Sequence, residues 1–343
     1  MTGERPVDVA GLTAGIARHE RRALAQAITL VESTRPDHRA AAEELLRSLP
    51  PAEGDVVRIG ITGAPGVGKS TLIEALGQLL VRHGDRVAVL AIDPSSARTG
   101  GSILGDKTRM VELSRSDNAF IRPSPAGATL GGVARRTREA MHLCEAAGYR
   151  RVIVETVGVG QSETAVAAMT DLFVLLVAPA GGDELQGIKR GIMELADFVV
   201  VNKADGDLEQ RAAQAVGEYR SALGLMIPRH AGLPAQALAV SARDGTGLEG
   251  LWEAICVRRD VLRASGELTR LRADQARDGM WAEVREGLVD YAQRAAAASA
   301  ADLELRVMEG RLLPHLAAAQ ILEELHAAMT SGGGATLRGR SVR

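Results

Sequence analysis

The 343-residue sequence has only two cysteines, few aromatic side chains and a net charge of only −2. Cys144 and Cys256 lie far apart in helix-like stretches, so we expect two reduced thiols and no disulfide framework. There are 41 basic and 43 acidic residues, with three Phe, three Tyr and two Trp. The chain therefore lacks the basic surface and the stacking rings that nucleic-acid binders use, and we predict no nucleic-acid partner.

Long apolar runs are missing as well. The longest, LFVLLVA, is much shorter than the roughly 20 residues of a membrane-spanning helix. The stretch MTGERPVDVAGLTAG lacks the apolar core of a secretory signal. The seven histidines are scattered and no C-x-x-C pair is present, so no metal-transfer tract is evident. We predict a cytoplasmic protein with no membrane partner.

The apolar pattern changes twice along the chain. Residues 9–49 show helical spacing, as in IARHERRALAQAITLVEST, and PPAEGD ends that pattern. From Val56 onward, short β-type runs alternate with helical segments; beyond Gly247 only two or three long amphipathic helices follow. The β-type runs are VVRIGIT, RVAVLAID, AFIRP, RVIVET, DLFVLLVA, DFVVVNK and ALAVSA. This alternation predicts an α/β fold with a mostly parallel sheet covered on both faces.

We divide the chain into four parts. These are an N-terminal helical extension (1–50), a nucleotide-binding domain (51–255), a C-terminal helical segment (256–330) and an unstructured tail (331–343). Appended amphipathic helices are typical of a partner or self-association surface. They are equally typical of helices that pack back onto the core, and the sequence pattern leaves both open.

The stretch GAPGVGKST lies between the first β-type run and a helical run, and it fits G-x-x-x-x-G-K-[ST]. Glycines let backbone N–H groups approach phosphate oxygens, and the positive end of the following helix faces the same anion. We predict that Lys69 reaches the β/γ oxygens and that Ser70 binds Mg²⁺. The predicted phosphate-binding residues are Gly63, Ala64, Pro65, Gly66, Val67, Gly68, Lys69, Ser70 and Thr71.

A second motif, N-K-x-D, distinguishes GTP from ATP. It consists of Asn202, Lys203 and Asp205, directly after an apolar strand. The Asp205 carboxylate would accept hydrogen bonds from the ring N–H and the exocyclic amine of guanine. Adenine offers neither donor at this edge of the ring, and sites built on such bonds discriminate by roughly 10⁴–10⁵. We expect the lysine stem to cover the base, the asparagine to tie this loop to the phosphate loop, and Ser241 and Ala242 to offer a backbone N–H to the base oxygen.

Acidic residues end two of the predicted strands. Asp93 and Glu155 stand where ligands collect in parallel sheets, and their oxygens suit Mg²⁺. Gly158, in ETVGVGQSE, is placed to bring a backbone N–H to the γ-phosphate, so that this loop senses hydrolysis. The polar loop DPSSARTGGSILGDKTRM, which contains Asp106, has the composition of a switch. By its residues alone, Lys189 in GGDELQGIKRGIMELAD is an ordinary solvated charge.

These blocks, in this order, resemble the MeaB/ArgK-type GTPases, chaperones of adenosylcobalamin-dependent methylmalonyl-CoA mutase. The resemblance extends from about Leu12 to Leu325. It includes two family-specific blocks, PAGATLGGVARRTREA and GGDELQGIKRGIMELAD. It implies a P-loop GTPase domain of the G3E type between N- and C-terminal helical extensions. It also implies a homodimer formed by the C-terminal helices, and GTP hydrolysis coupled to a partner acyl-CoA mutase.

The resemblance also implies individual roles. The family's Mg²⁺ and switch acids match Asp93, Asp106 and Glu155, and its third-switch pair matches Asp183 and Lys189. Lys189 thereby becomes a candidate for the cation that hydrolysis requires near the transferred phosphate. The predicted catalytic residues are Lys69, Asp93, Glu155 and Lys189. The predicted metal ligands are Ser70, Asp93, Asp106 and Glu155.

Other functions share part of this motif set. A metallochaperone GTPase would need a His-rich or Cys-rich tract, and a kinase or ATPase linked to amino-acid transport would need an adenine site. A structural dimer with a vestigial P-loop would not need the complete set of nucleotide motifs. The cobalamin motif D-x-H-x-x-G is absent, because DHRA at 37–40 does not fit it. We therefore expect adenosylcobalamin to belong to the partner.

Overall fold

The computed structural model describes residues 7–51, 54–93, 110–125, 130–156, 162–179 and 190–331. The chain separates into two compact units, Met1–Ala276 and Arg277–Arg343. The first unit contains the sheet and the N-terminal helices. The second begins within a long helix. The four-part division of the chain stays a prediction.

The first unit is built on a seven-stranded sheet in which every strand pair is parallel. The strand order is β3-β2-β4-β1-β5-β6-β7, which places β1 at the centre. The predicted α/β class, the parallel sheet and all seven strand positions are confirmed. The strands are β1 (Val57–Gly63), β2 (Val87–Asp93), β3 (Ala119–Pro125), β4 (Arg151–Thr156), β5 (Leu172–Val177), β6 (Phe198–Val201) and β7 (Gln236–Ala239).

Burial on both faces explains the apolar character of the strands. All six residues of β5 are buried, as expected for a central strand between two helical layers. Along β1, Val57, Ile59 and Ile61 belong to one core cluster, and the intervening residues face the opposite layer. The buried residues form three core clusters, and the third joins the ends of β5, β6 and β7 to the helix Glu209–Leu223.

Helices cover both faces of the sheet, and further helices precede the first strand and follow the last strand along the chain. The helical pattern predicted for residues 9–49 is confirmed as three helices. The helices among the described residues are α1 (Val9–Ala17), α2 (Arg21–Glu32), α3 (Pro36–Ser48), α4 (Lys69–Arg82), α5 (Val111–Arg115), α6 (Leu130–Ala146), α7 (Ser162–Ala167), α8 (Arg190–Met193), α9 (Glu209–Leu223), α10 (Leu248–Ala264), α11 (Glu267–Ala295), α12 (Ala297–Met308) and α13 (Pro314–Ser331).

The N-terminal helices extend one helical layer of the sheet. In α2, Leu24, Ile28 and Val31 are buried at steps of four and three residues, which is one face of a helix. They share a core with α6 residues such as Met141 and Cys144. Burying each such aliphatic side chain contributes about 1.5–3 kcal/mol. The extension is therefore held by an ordinary apolar core.

Four helices follow Gly247, where the sequence predicts two or three. Gly266, at φ +75°, separates α10 from α11, and Gly310 and Pro314 separate α12 from α13. The break between α11 and α12 falls in an alanine-rich stretch with no glycine or proline, so the pattern gives no signal for it. Helix α13 extends to Ser331, and residues 332–343 of the predicted tail lie outside the described residues.

Two fully buried aspartates form ion pairs at the amino-terminal edge of the sheet. Arg272 donates Nε and Nη2 to the two carboxylate oxygens of Asp171, at 2.8 and 2.7 Å. These hydrogen bonds raise the pKa of the Arg272 guanidinium. Asp197, also fully buried, accepts from Arg229 at 2.8 Å and from the backbone N–H of Phe173 at 2.8 Å. These contacts hold the starts of β5 and β6, at the edge opposite the phosphate loop.

Among the described residues, no helix is both long enough and apolar enough to cross a membrane.

Candidate nucleotide-binding site

The predicted site residues lie at the carboxyl edge of the sheet. β1 lies between β4 and β5, and the loops that leave β1, β4 and β6 all start from this edge. In open α/β sheets ligands bind in this position, where strand order reverses about the first strand. The topology therefore brings together motifs that are more than 130 residues apart in the sequence.

The phosphate loop connects β1 directly to α4. Gly63 ends β1 so close to β5 that a Cβ there would lie 2.3 Å from the carbonyl oxygen of Leu176. Gly68 takes a left-handed conformation, φ +95°, and caps α4 without a side-chain hydrogen bond. No side chain caps this end of α4, and uncapped helix N-termini of this kind are typical of anion-binding loops. Ala64, Pro65 and Gly66 are exposed, Val67 is buried, and Thr71 is exposed on α4.

Lys69 points back into this loop. Its ammonium donates to the carbonyl oxygens of Gly63, at 2.7 Å, and Ala64, at 3.1 Å. The side chain is 7% exposed. A buried ammonium requires such partners because desolvation penalises its charge. The lysine is therefore held at the centre of the loop, within reach of an anion bound there.

Two of the four predicted metal ligands are in contact. The hydroxyl of Ser70 donates to Oε1 of Glu155 at 3.2 Å, which joins the first turn of α4 to the end of β4. Glu155 is 4% exposed. Asp93 is the last residue of the neighbouring strand β2. A hydroxyl and carboxylates are hard oxygen donors of the kind Mg²⁺ prefers.

Asn202 connects three loops. Its Nδ2 donates to the carbonyl oxygen of Val67 at 3.0 Å, and its Oδ1 accepts from the backbone N–H of Ala242 at 3.1 Å. The side chain is 2% exposed. Both ends of the amide are therefore used to fix the phosphate loop against the loop that follows β7. The hydrogen bond to Val67 is the link that the sequence predicts between the N-K-x-D loop and the phosphate loop.

The next two motif residues face the solvent side of this junction. Lys203 has a positive φ of 60°, and its ammonium donates to the carbonyl oxygen of Gly66 at 2.9 Å. Asp205 accepts a 2.6 Å hydrogen bond from the hydroxyl of Ser241, while its second oxygen lies 4.0 Å from the Arg243 guanidinium. The carboxylate is thus oriented by its neighbours while 19% of the side chain remains exposed to a ligand.

Ser241 and Ala242 have contacts that the motif alone does not indicate. The backbone N–H of Ser241 donates to the carbonyl of Thr246 at 2.9 Å, and that of Ala242 to Asn202. Ser241 reaches Asp205 through its hydroxyl instead. Donation of either N–H to a base oxygen stays a prediction.

Four predicted residues lie outside the described part of the chain: Asp106, Gly158, Asp183 and Lys189. For Asp93 the structure describes the backbone position only. Sequence reasoning missed Thr62 and Thr156, whose hydroxyls meet beneath the phosphate loop at 2.7 Å. Thr156 stands in the ETVGVGQSE block, but no motif assigns either hydroxyl a role, so only the strand pairing could reveal this contact.

Comparison with known proteins adds to this geometry. A family model described as methylmalonyl-CoA mutase-associated GTPase MeaB matches residues 24–297. The chain belongs to the MeaB family. This confirms the resemblance of the sequence blocks, and with it a P-loop GTPase that binds guanine nucleotide and hydrolyses GTP. The family match covers the described site loops and most of the helices around them.

Individual relatives agree with the family. The chain is 54% identical to a probable GTPase of Mycobacterium tuberculosis over 92% of this chain and 94% of the relative. It is 46% identical to the mouse mitochondrial methylmalonic aciduria type A homolog, over 91% and 78%. A crystal structure titled LAO/AO transport system kinase aligns with a TM-score of 0.73 at 38% identity, covering 95% of this chain and all of that one.

Proposed function

We propose that this MeaB-family GTPase is a chaperone of an adenosylcobalamin-dependent acyl-CoA mutase. GTP binding and hydrolysis would gate cofactor loading and the protection or reactivation of that mutase. The family description and the name of the mouse relative, which refers to methylmalonic aciduria, support this client class. Methylmalonyl-CoA mutase or a close relative is the client that the proposal names.

One observation carries the nucleotide assignment. Asn202 fixes the phosphate loop to the loop after β7, and Ser241 orients Asp205 within the same junction. A carboxylate held in this way suits the two adjacent N–H donors of guanine. The direct link between the base-reading loop and the phosphate loop supports GTP over the adenine nucleotide that a transport-linked kinase would use.

The proposed chemistry is attack of water on the γ-phosphate, which releases GDP and phosphate. Backbone N–H groups of the loop 63–68 and the N-terminus of α4 would hold the phosphate oxygens. Lys69 would exchange its two carbonyl partners for the β/γ oxygens and stabilise the developing negative charge. Asn202, Lys203 and Asp205 would hold the base.

The donor set fits a magnesium ion. Ser70 and Glu155 already bring a hydroxyl and a carboxylate oxygen to 3.2 Å at the foot of the phosphate loop. Asp93 and Asp106 would complete the oxygen ligands, directly or through water. When bound, Mg²⁺ would neutralise charge on the β- and γ-phosphates. Gly158, Asp183 and Lys189 would belong to the switch segments that respond to the nucleotide.

The coupling to a mutase is tested with purified proteins. A GTPase without an inserted cation turns over at about 10⁻⁴ to 10⁻³ s⁻¹. We expect the partner mutase to raise kcat, and Lys189→Ala to abolish most of that increase, because Lys189 supplies positive charge near the transferred phosphate. Arg220→Ala, an exposed cation on α9, is the matched control. Mutase reactivation that proceeds identically with GTP, with GDP and without nucleotide would contradict the gating proposal.

We also propose a homodimer formed through the C-terminal helices. On α11, Trp281, Val284, Leu288 and Tyr291 follow one another at steps of three, four and three residues and are between 41% and 52% exposed. A large apolar stripe with this spacing is typical of a helix that pairs with another helix. A second copy of the chain presents the same stripe.

Charge placed on this stripe should separate the subunits. We expect the double variant Trp281→Glu/Leu288→Glu to elute as a monomer, because dimerisation would then bury unpaired carboxylates. Light scattering behind a sizing column measures the mass directly. Val257→Glu, at a 58% exposed position on α10, is the control and should leave the dimer intact. A double variant with unchanged dimer mass would contradict this interface.

A further inference from the structure

A buried hydroxyl pair joins the two strands from which the phosphate loop and the Gly158 loop depart. Thr62 is the residue before Gly63, and Thr156 is the last residue of β4. Their Oγ1 atoms are 2.7 Å apart, and the side chains are 1% and 0% exposed. The contact continues the parallel register that pairs Ile61 with Glu155 one residue earlier.

This contact lies on the opposite face of the sheet from the Ser70–Glu155 hydrogen bond. Successive side chains along a strand point to opposite faces, so Glu155 faces α4 and Thr156 faces the other layer. The end of β4 is therefore held on both sides, by α4 on one face and by β1 on the other. Two groups of the proposed metal site, Ser70 and Glu155, lie directly across from the threonine pair.

If Ser70 and Glu155 both bind a metal ion, their oxygens must stay close to the 3.2 Å separation seen here, which is near the spacing of adjacent ligands around Mg²⁺, so the end of β4 must keep its position. We propose that Thr62 and Thr156 are positioning residues that keep the ends of β1 and β4 at a fixed separation while Mg²⁺ and nucleotide bind. They act through Ser70 and Glu155 and touch neither ligand. The inference rests on the proposed placement of the nucleotide site.

The geometry makes this role testable, because a methyl group cannot replace the hydroxyl at the same distance. Carbon–oxygen contacts in proteins begin near about 3.3 Å, and favourable carbon–carbon contacts near about 3.5 Å. Valine at either position therefore forces the strand ends apart beyond the 2.7 Å of the hydroxyl pair. Valine at both positions forces them further apart, although it leaves no buried hydroxyl unpaired.

The test measures GDP affinity by calorimetry, with Mg²⁺ and with EDTA, for Thr62→Val, Thr156→Val, the double valine variant and the two serine variants. With Mg²⁺ we expect each single valine variant to bind about fivefold to tenfold more weakly, and the double variant at least as weakly. With EDTA we expect affinities within about twofold of the parent, because Asn202 and Lys203 still hold the phosphate loop. Serine keeps the hydroxyl and should preserve both values.

Thr170→Val is the matched control. This threonine is fully buried and donates its hydroxyl to the carbonyl of Val166, away from the carboxyl edge. We expect this variant to bind GDP like the parent, both with Mg²⁺ and with EDTA. Two results would overturn the inference and assign the pair to stability alone. One is a double valine variant that binds GDP with Mg²⁺ as tightly as the parent. The other is a loss of GDP affinity that is equal with Mg²⁺ and with EDTA. If the unmodified protein binds no guanine nucleotide, the proposed site fails instead.

Discussion

Replacing Asp205 with asparagine is expected to weaken GTP binding by a factor on the order of 10³ or more. The carboxylate presents two acceptors, whereas the asparagine amide presents one acceptor and one donor. That donor would face the exocyclic amine of guanine, which is also a donor. Xanthine carries an oxygen at this position, so we expect the variant to prefer xanthosine triphosphate.

Competition binding of the guanosine, xanthosine and adenosine nucleotides measures this change in base preference. Asp207→Asn is the matched control, because Asp207 is an exposed carboxylate two residues further along the same loop. It should leave the preference unchanged. A D205N protein that retains its guanine affinity would show that Asp205, although oriented by Ser241 at 2.6 Å, does not bind the base.

Replacing Lys69 with alanine is expected to lower the rate constant for GTP hydrolysis by at least about 10²-fold. The lysine is the charged group at the centre of the phosphate loop, and its removal takes away stabilisation that grows as negative charge develops on the phosphate oxygens. Single-turnover hydrolysis at saturating GTP measures the chemical step in the isolated protein, and the measurement is repeated with the proposed client mutase added.

Arg82→Ala provides the control for lost positive charge. Arg82 is exposed in the last turn of the same helix, far from the loop. Thermal unfolding of both variants separates catalysis from folding, since Lys69 is buried against two carbonyl oxygens. A K69A rate constant within about threefold of the parent would remove Lys69 from the reaction, given that single catalytic donors typically contribute 10²–10³.

The fold was largely predictable because each strand is short and apolar and is separated from the next strand by a helical stretch. β5, with all six residues buried, is read directly as a central parallel strand. The break between α11 and α12 was not predictable, because an alanine-rich stretch carries no marker of helix termination. The salt bridge of Arg272 with Asp171 joins residues 101 positions apart, and no local pattern points to such a pair.

Part of the candidate site was also predictable from the sequence, and part was not. Lys69, Asn202 and Asp205 occupy motif positions whose spacing follows from the chemistry of phosphate and guanine binding. Their hydrogen-bond partners do not, because these depend on how separate loops meet in space. The contact of the Ser241 hydroxyl with Asp205 and the Thr62–Thr156 pair are both products of tertiary packing. Sequence motifs identify ligand-facing groups better than the groups that position them.

The most direct test of the account is calorimetric titration of the unmodified protein, in the presence of Mg²⁺, with non-hydrolysable analogues of GTP and ATP. Such a titration compares the two bases while the triphosphate remains the same. The junction of Asn202, Asp205 and Ser241 predicts a preference for the guanine analogue on the order of 10³-fold or more. Equal affinities would show that this junction does not bind the base, and would contradict both the assigned nucleotide and the function built on it.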